Sequence, residues 1–370
     1  MLTRLDETLL HQTPRTFGEV YTSDHRFFDR CWFCAYDPEG SIGLITGMGS
    51  YANMNVMDGF AAVQCGGKQY NLRVSRTLRP AVDDPSCGPL RHEVVEPLQE
   101  LRLVLEPGDY PIAFDLRWLG FLAAHEEAPH LTELDGRTVE DYRRFDQIGQ
   151  VDGWIEVEGQ RHEARHWFGA RDHSWGVRRG VGGFEPFTGT LPPEARGLLF
   201  GWLAWATEEG GGQVQFRENG EGERQYLDGR LARPPSEGRA EDRVCGLDHE
   251  IRFIEGTRAY ERAELCVQTE GGAKIEIEAR PLLTAWAYVG TGYDHGFADG
   301  KGLGAYRGEL LLESDVYDVS HPEDVVRPDG QVLRPVHREQ PVRLLVDGKP
   351  GTGHFPIMTV GRVARYGLGT

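Results

Sequence analysis

No stretch of this 370-residue sequence approaches the roughly 18 uninterrupted apolar residues of a membrane-spanning helix, so a helical span is excluded. The opening segment carries Arg4, Asp6 and Glu7 and lacks the apolar core of a secretory signal; the expected location is the cytoplasm. Basic residues are in deficit. Forty Lys and Arg stand against 58 Asp and Glu, a net charge of −18, which argues against a nucleic-acid or anionic-membrane partner. The six cysteines are too few and too scattered for a disulfide scaffold. Cys31 and Cys34 form a CxxC, but it lies in the apolar run CWFCAY, which reads as a strand, where positions of odd separation point to opposite faces. No Gly-x-Gly-x-x-Gly follows a strand, and neither a phosphate loop nor a Gly-x-Ser-x-Gly elbow is present. Nucleotide-dependent and serine-hydrolase chemistry therefore have no support, and no cofactor is expected.

What the chain does have is alternation. Hydrophobic residues make up 39% and aromatics 10%, enough for real cores in a chain long enough for two modules. Leu101, Leu103 and Leu105 share one face of a strand, as do Ile112, Phe114, Leu116 and Trp118, and Lys274–Arg280 alternates throughout. Forty-eight glycines punctuate these runs, with turn signals at Asp152-Gly153, Asn219-Gly220, Asp228-Gly229, Asp329-Gly330 and Asp347-Gly348. Helix signals are sparse: a cap at Thr138–Asp141 leading through Phe145, and the stretch Thr3–Leu10. The expected fold is all-β, two antiparallel barrels with few short helices, spanning residues 1–184 and 185–370.

Ionisable and aromatic side chains crowd together at His166–Arg179. On a strand, Arg171, His173 and Trp175 share one face, and Ala170, Asp172 and Ser174 the other. Two readings stand side by side: a catalytic acid, or a buried Arg–Asp ion pair joining two modules. Tyr51, Asn53 and Asn55 would form a polar ladder on one strand face, able to orient a substrate oxygen or simply solvated. Tyr293 and His295 lie in a glycine-rich run that reads as a barrel mouth or a plain turn. His162-Glu163-Ala-Arg-His166 matches a zinc-protease motif, but without a helix its histidines would stand about 13 Å apart on a strand, and no metal is expected.

The stretch Arg143-Arg-Phe-Asp-Gln147, then Gly149, Gly153 and Gly159, then Arg171-Asp-His-Ser-Trp-Gly176, resembles the AttH-like and carotenoid hydratase (hydroxyneurosporene synthase) superfamily. Tyr36-Asp-Pro-Glu-Gly40 and Asp58-Gly59-Phe60 resemble that group's first module. The resemblance implies two lipocalin-like domains, no metal cofactor, and an acid catalyst at Asp172. The hydratases carry a tyrosine two residues before that aspartate, where this chain has Ala170; their upstream His-x-Trp is also missing, with Arg143-Arg-Phe145 near the matching place. The expected substrate is therefore broader than a carotenoid: an apolar, oxygen-bearing molecule such as a terpenoid, steroid, lipid or lignin-like aromatic. A carboxyl in a hydrocarbon-lined site stays protonated near neutral pH and can protonate an alkene or activate a leaving hydroxyl. His173 would hold or recycle the proton, with Trp175, Trp167 and Tyr293 facing the developing cation. Arg171, Arg143, Gln147 and His295 complete the expected substrate contacts. The expected function is a cofactor-independent lyase or isomerase, with a non-catalytic lipocalin-type carrier as the alternative; a homo-oligomer remains open.

Overall fold

Alternating residues become strands because a pleated ribbon with one covered face needs a period of two. In Glu100–Leu105, for example, Leu101, Leu103 and Leu105 are buried. The computed structural model describes residues 2, 4–7, 9–11, 13–182, 197–232, 242–294 and 296–369. Among these, helix is confined to 3-10 turns of three or four residues, and the chain is all-β. The expected boundary at residue 184 lies outside the described residues.

The strands in chain order begin with β1 (Phe27–Tyr36), β2 (Ile42–Tyr51), β3 (Val56–Cys65), β4 (Lys68–Thr77), β5 (Ser86–Cys87) and β6 (Leu90–Glu96). Then come β7 (Glu100–Leu105), β8 (Ile112–Gly120), β9 (His125–Glu126), β10 (His130–Leu134), β11 (Arg137–Val157) and β12 (Gln160–Val177). The second half opens with β13 (Leu198–Thr207), β14 (Gly210–Asn219), β15 (Arg224–Ala232), β16 (Asp242–Phe253), β17 (Tyr260–Thr269) and β18 (Lys274–Pro281). It closes with β19 (Trp286–Ala287), β20 (Leu310–Asp318), β21 (Val325–Val326), β22 (Val332–Leu333), β23 (Arg338–Glu339), β24 (Pro341–Val346), β25 (Lys349–His354) and β26 (Ile357–Val360).

Two large antiparallel sheets result. The first runs β22-β21-β20-β4-β3-β2-β1-β12-β11-β8-β7-β6-β5, with β9 and β10 added on β11. It curls until its far end meets its middle: Cys87 Sγ lies 3.5 Å from the Met57 carbonyl, and Arg76 donates to the Ser86 carbonyl at 2.7 Å. Inside the curl sits a core that includes Leu44, Leu72, Leu103, Leu116 and Trp118. The second sheet runs β14-β15-β16-β17-β18-β24-β25-β13, and β13 pairs again with β14, so its ladder returns to its start. It has its own core around Leu203, Trp205, Phe216, Leu265 and Phe355. Late chain returns to the first sheet, where β20 pairs with β4 from Leu310↔Arg76 to Asp318↔Lys68.

Four local expectations are corrected. Thr138–Phe145 is strand, part of β11, because sixteen ladder positions shared with β12 outweigh an isolated cap signal worth only about 1 kcal/mol. Asp152-Gly153 is a bulge inside β11, where Gly153 adopts φ 132° and a Cβ would stand 2.2 Å from the Asp115 carbonyl oxygen. Asp228-Gly229 lies within β15, where a Cβ on Gly229 would come 2.3 Å from the Gln213 carbonyl oxygen. Of the Thr3–Leu10 helix, the described residues show one 3-10 turn, Arg4–Glu7.

Candidate active site between the two sheets

Direct ladder partners share a face, so the register of β1, β12 and β11 lays out a grid. Its rows read Arg30–Ser174–Arg144, Trp32–Asp172–Asp146 and Cys34–Ala170–Ile148. This face turns toward the second sheet: Trp32, Cys34 and Ile148 share one apolar cluster with Trp202 and Ala204 of β13. Glycines on β2 let large rings lie flat beside it. A Cβ would stand 2.6 Å from Phe60 at Gly47, and 2.6 Å from Trp286 at Gly43.

Asp172 therefore points into the junction between the sheets. Its side chain keeps 20% exposure, and its nearest cation is Arg144, whose Nε lies 4.0 Å from Oδ2. Burial raises the Asp172 pKa, and the neighbouring Glu127 and Glu339 act in the same direction; Arg144 and Arg178 act against them. Asp146, its ladder partner, is fully buried and accepts a 3.0 Å hydrogen bond from Gln213. Burial and Glu127, which is bonded to it, push the Asp146 carboxyl well above the usual range. Glu127 goes the other way. Burial alone would raise it, but Arg144 and a 2.6 Å contact with His130 hold it at about 2.

The opposite wall comes from both ends of the chain. The Tyr36 hydroxyl lies 2.6 Å from His354 Nδ1, and His354 Nε2 lies 2.5 Å from Glu339. Burial, helped by Cys34 and Glu339, raises the Tyr36 hydroxyl far above its usual pKa. Burial would also raise Glu339, but His354 and His337 hold it below the usual carboxylate range. The His354 ring stands 5.0 Å from Trp32 and 5.2 Å from Trp202, so this relay and Asp172 border the same indole. At the third edge, Arg30 donates to Asp58 at 2.9 Å, to the Tyr51 hydroxyl at 2.7 Å and to the Tyr293 hydroxyl at 2.9 Å.

The expected site residues divide. Asp172, Tyr51 and Tyr293 come together at the junction. Arg171, Gln147, His173, Trp175 and Trp167 lie on the other face of the first sheet. Arg171 forms no ion pair with Asp172; it donates to Gln147 at 3.0 and 2.7 Å and lies over the Trp118 and Phe145 rings. His173 sits 2.7 Å from Asp29, Trp175 is 39% exposed, and Trp167 belongs to the first core. Arg143 contacts Asp141 at 3.4 Å on that same exposed side. The Tyr51–Asn55 ladder is not a strand face. β2 ends at Tyr51, a 3-10 turn follows, and Asn55 adopts φ 57°. Asn53 and Asn55 serve the turn: Asn53 donates to the Thr22 and Asp24 carbonyls, and Asn55 accepts from the Arg79 N–H. His295 lies outside the described residues. His162 and His166 both fall in β12; His162 is the ladder partner of Ile155, and His166 sits at the bulge with φ 51°.

Glu127, Trp202, His354 and Glu339 escaped the sequence reading because they come from distant segments that meet only in the fold. Tyr36 and Arg30 had a signal: the alternation Arg30, Trp32, Cys34, Tyr36 opposite the spaced glycines of β2. A cavity of about 1220 Å³ opens elsewhere, in the second half, walled in part by Phe253, Arg258, Tyr260, Leu283, Arg338 and Ile357; neither Asp172 nor His173 borders it.

A family model described as a family of unknown function, DUF8625, matches residues 2–369. No curated protein matches the sequence. Among solved structures, a candidate AttH protein from Nitrosomonas europaea is 12% identical, with 90% of this chain and 93% of that one covered at a TM-score of 0.52. Kievitone hydratase from Nectria haematococca is 10% identical, with coverage of 89% and 88% and a TM-score of 0.49. CghA, crystallised with Sch210972, is 9% identical, with coverage of 90% and 88% and a TM-score of 0.48. The chain thus shares the fold of AttH-like proteins, as the resemblance implied.

Proposed function

The chain belongs to that family of unknown function, and we propose that its junction is the active site of a cofactor-independent lyase or isomerase. The reaction would be a hydration, dehydration or related acid–base elimination on an apolar, oxygen-bearing small molecule. In this reading two lipocalin-like barrels, built mainly from residues 1–184 and 185–370 with β20–β22 of the late chain completing the first, meet around the substrate. One observation carries the reading: Asp172 keeps a route to solvent, yet burial raises its pKa while Trp32 stands beside it. A carboxyl so placed takes up a proton more readily than one in water, which suits it to act as a proton donor. It gives that proton to a substrate carbon or to a leaving hydroxyl. The faces of Trp32 and Trp202 take over the cation-facing role first expected of Trp175 and Trp167. Tyr36 and His354, across Trp32, are placed to receive or return a proton on the other side of the substrate.

The test is turnover of terpenoid, steroid, lipid and lignin-like aromatic candidates, read by mass spectrometry as isomerisation or as gain or loss of one water. Asp172→Asn should stay folded and lower the rate by about 10²- to 10⁴-fold. A large drop in Tm with near-normal specific activity would make Asp172 structural. A carrier is the second reading, since neither Asp172 nor His173 lines the cavity in the second half; a carrier's cavity would be wholly apolar, and this one sets Arg258, Glu261 and Arg338 beside Phe253 and Tyr260. Ligand bound there, with no turnover of any candidate, would select the carrier.

A further inference from the structure

Several buried donor atoms at the junction have no acceptor among the described residues. Arg178, at the end of β12, has no hydrogen-bond or ion-pair partner among the described residues, and its Nε is buried and unsatisfied. It lies 4.9 Å from the Phe28 ring centroid and 5.9 Å from that of Tyr293. Arg30 shares the Tyr293 ring at 5.0 Å, and its Nη2 is likewise buried without an acceptor. Arg144 flanks Ser174 on one side and Arg30 on the other, and the Arg144 Nε is also unsatisfied. The buried indole N–H groups of Trp32 and Trp202 complete the set. Buried donors without acceptors are costly, and native proteins keep them where a ligand supplies the missing atom. Of the carboxylates nearby, Asp58 is bonded by Arg30 and one oxygen of Glu127 by His130, while Asp172 feels the charge of Arg178 without bonding to it.

We propose that this edge of the junction is an oxyanion pocket, with Arg178 as its principal ligand, and that the substrate is an apolar molecule carrying an anionic oxygen. The proposal rests on the junction being the active site and names the substrate class for it. A planar guanidinium held against aromatic rings offers two parallel donors to a carboxylate, while the rings accept the hydrocarbon behind it. Such an anion would fix the substrate so that its apolar part extends along the row toward Trp32 and Asp172. Arg178 is then a binding and specificity residue, with proton transfer left to Asp172.

The experiment uses the full chain with two probes of one shape, 2-naphthoate and methyl 2-naphthoate, titrated calorimetrically at pH 7. The acid should bind about 10- to 100-fold more tightly than the ester, the range expected for a charge-assisted hydrogen-bonded contact. Arg178→Gln should erase that preference without moving the ester affinity, and Arg178→Lys should keep most of it. Arg338→Gln, in the wall of the distant cavity, should change nothing. Equal binding of acid and ester by the wild type overturns the proposal. So does a preference that survives Arg178→Gln or disappears with Arg338→Gln. The readout is independent of turnover: an intact acid preference alongside an inert Asp172 would retire the acid-catalyst reading and leave the anion pocket standing.

Discussion

Two buried carboxyl oxygens, Asp146 Oδ1 and Glu127 Oε1, have no donor among the described residues. A single proton held between the two side chains satisfies both, with Asp146 as its carrier, since its pKa is pushed up while Glu127 is held at about 2. Linkage then fixes the sign. A carboxyl whose folded pKa is raised loses stabilising power as pH climbs above about 4, where the unfolded chain ionises. Asp146→Asn should therefore raise stability at pH 7 and lose that advantage by pH 4, as read from urea midpoints. Glu127→Ala removes the counter-charge of a buried Arg144 and should cost about 3–5 kcal/mol. His92, in the first core, has the opposite sense. Burial, with Arg30 adding to it, brings its pKa down to about 3. The unfolded chain binds a proton near pH 6.5 that the folded chain refuses, so stability falls as pH drops from about 6.5 toward 3. His92→Gln, which can still bond Thr46 but does not titrate, should flatten that acid limb. At this scale the sequence singled out Asp172 and put His173 and Trp175 on the opposite strand face, yet still drew both into the site with it. Of the charged groups that act on its pKa beside burial, Arg178 lies in the same crowded stretch, but Arg144, Glu127 and Glu339 lie 28 and more residues away in sequence, and no local pattern links them.

Among the elements, β2 is tightly constrained by its spaced glycines. A side chain at Gly47 would meet the Phe60 ring at 2.6 Å and the Cys31 carbonyl oxygen at 2.9 Å. Gly47→Ala should therefore lower stability by about 1–3 kcal/mol, with a matching fall in Tm, because the ring that roofs the junction must move. Gly66, where a Cβ would meet nothing within 4 Å, tests the other cause of glycine preference: its φ of 59° makes Ala a strain cost without a clash. Strands were legible wherever alternation ran for five residues or more, since burial of one face dictates it. Turn dipeptides were read less evenly. Asp347-Gly348 does close the β24–β25 hairpin with φ 49° and 78°, and Asp329-Gly330 turns between β21 and β22. Asp152-Gly153 and Asp228-Gly229 sit inside long strands, where the glycine admits a neighbouring backbone instead of reversing the chain. Composition cannot separate those two uses; only the register of the partner strand does.

For the molecule as a whole, the junction ties both sheets together by more than apolar contact. The Tyr36 hydroxyl meets His354 at 2.6 Å, Gln213 donates to Asp146 at 3.0 Å, and His125 meets Asp228 at 3.1 Å. Unfolding should be a single transition, with calorimetric and van't Hoff enthalpies in agreement. Residues 1–184 made alone should be insoluble, because β4 would lose β20 and Trp32 its cover. That the chain is all-β was legible from its periodicity; that its late strands rejoin the first sheet was not, since strand pairing at a distance leaves no mark on local sequence. The pairing of β4 with β20 also bears on how the protein is made. Asn71 and its partner Asp315 are 244 residues apart. A ribosome adding about 5–20 residues per second delivers the second roughly 12–50 s after the first. Through that interval every nascent copy carries a bare strand edge outside the exit tunnel, on a polysome where sister copies carry the same edge. Yield in a cell should therefore depend on translation speed and on the chaperones that shield that edge.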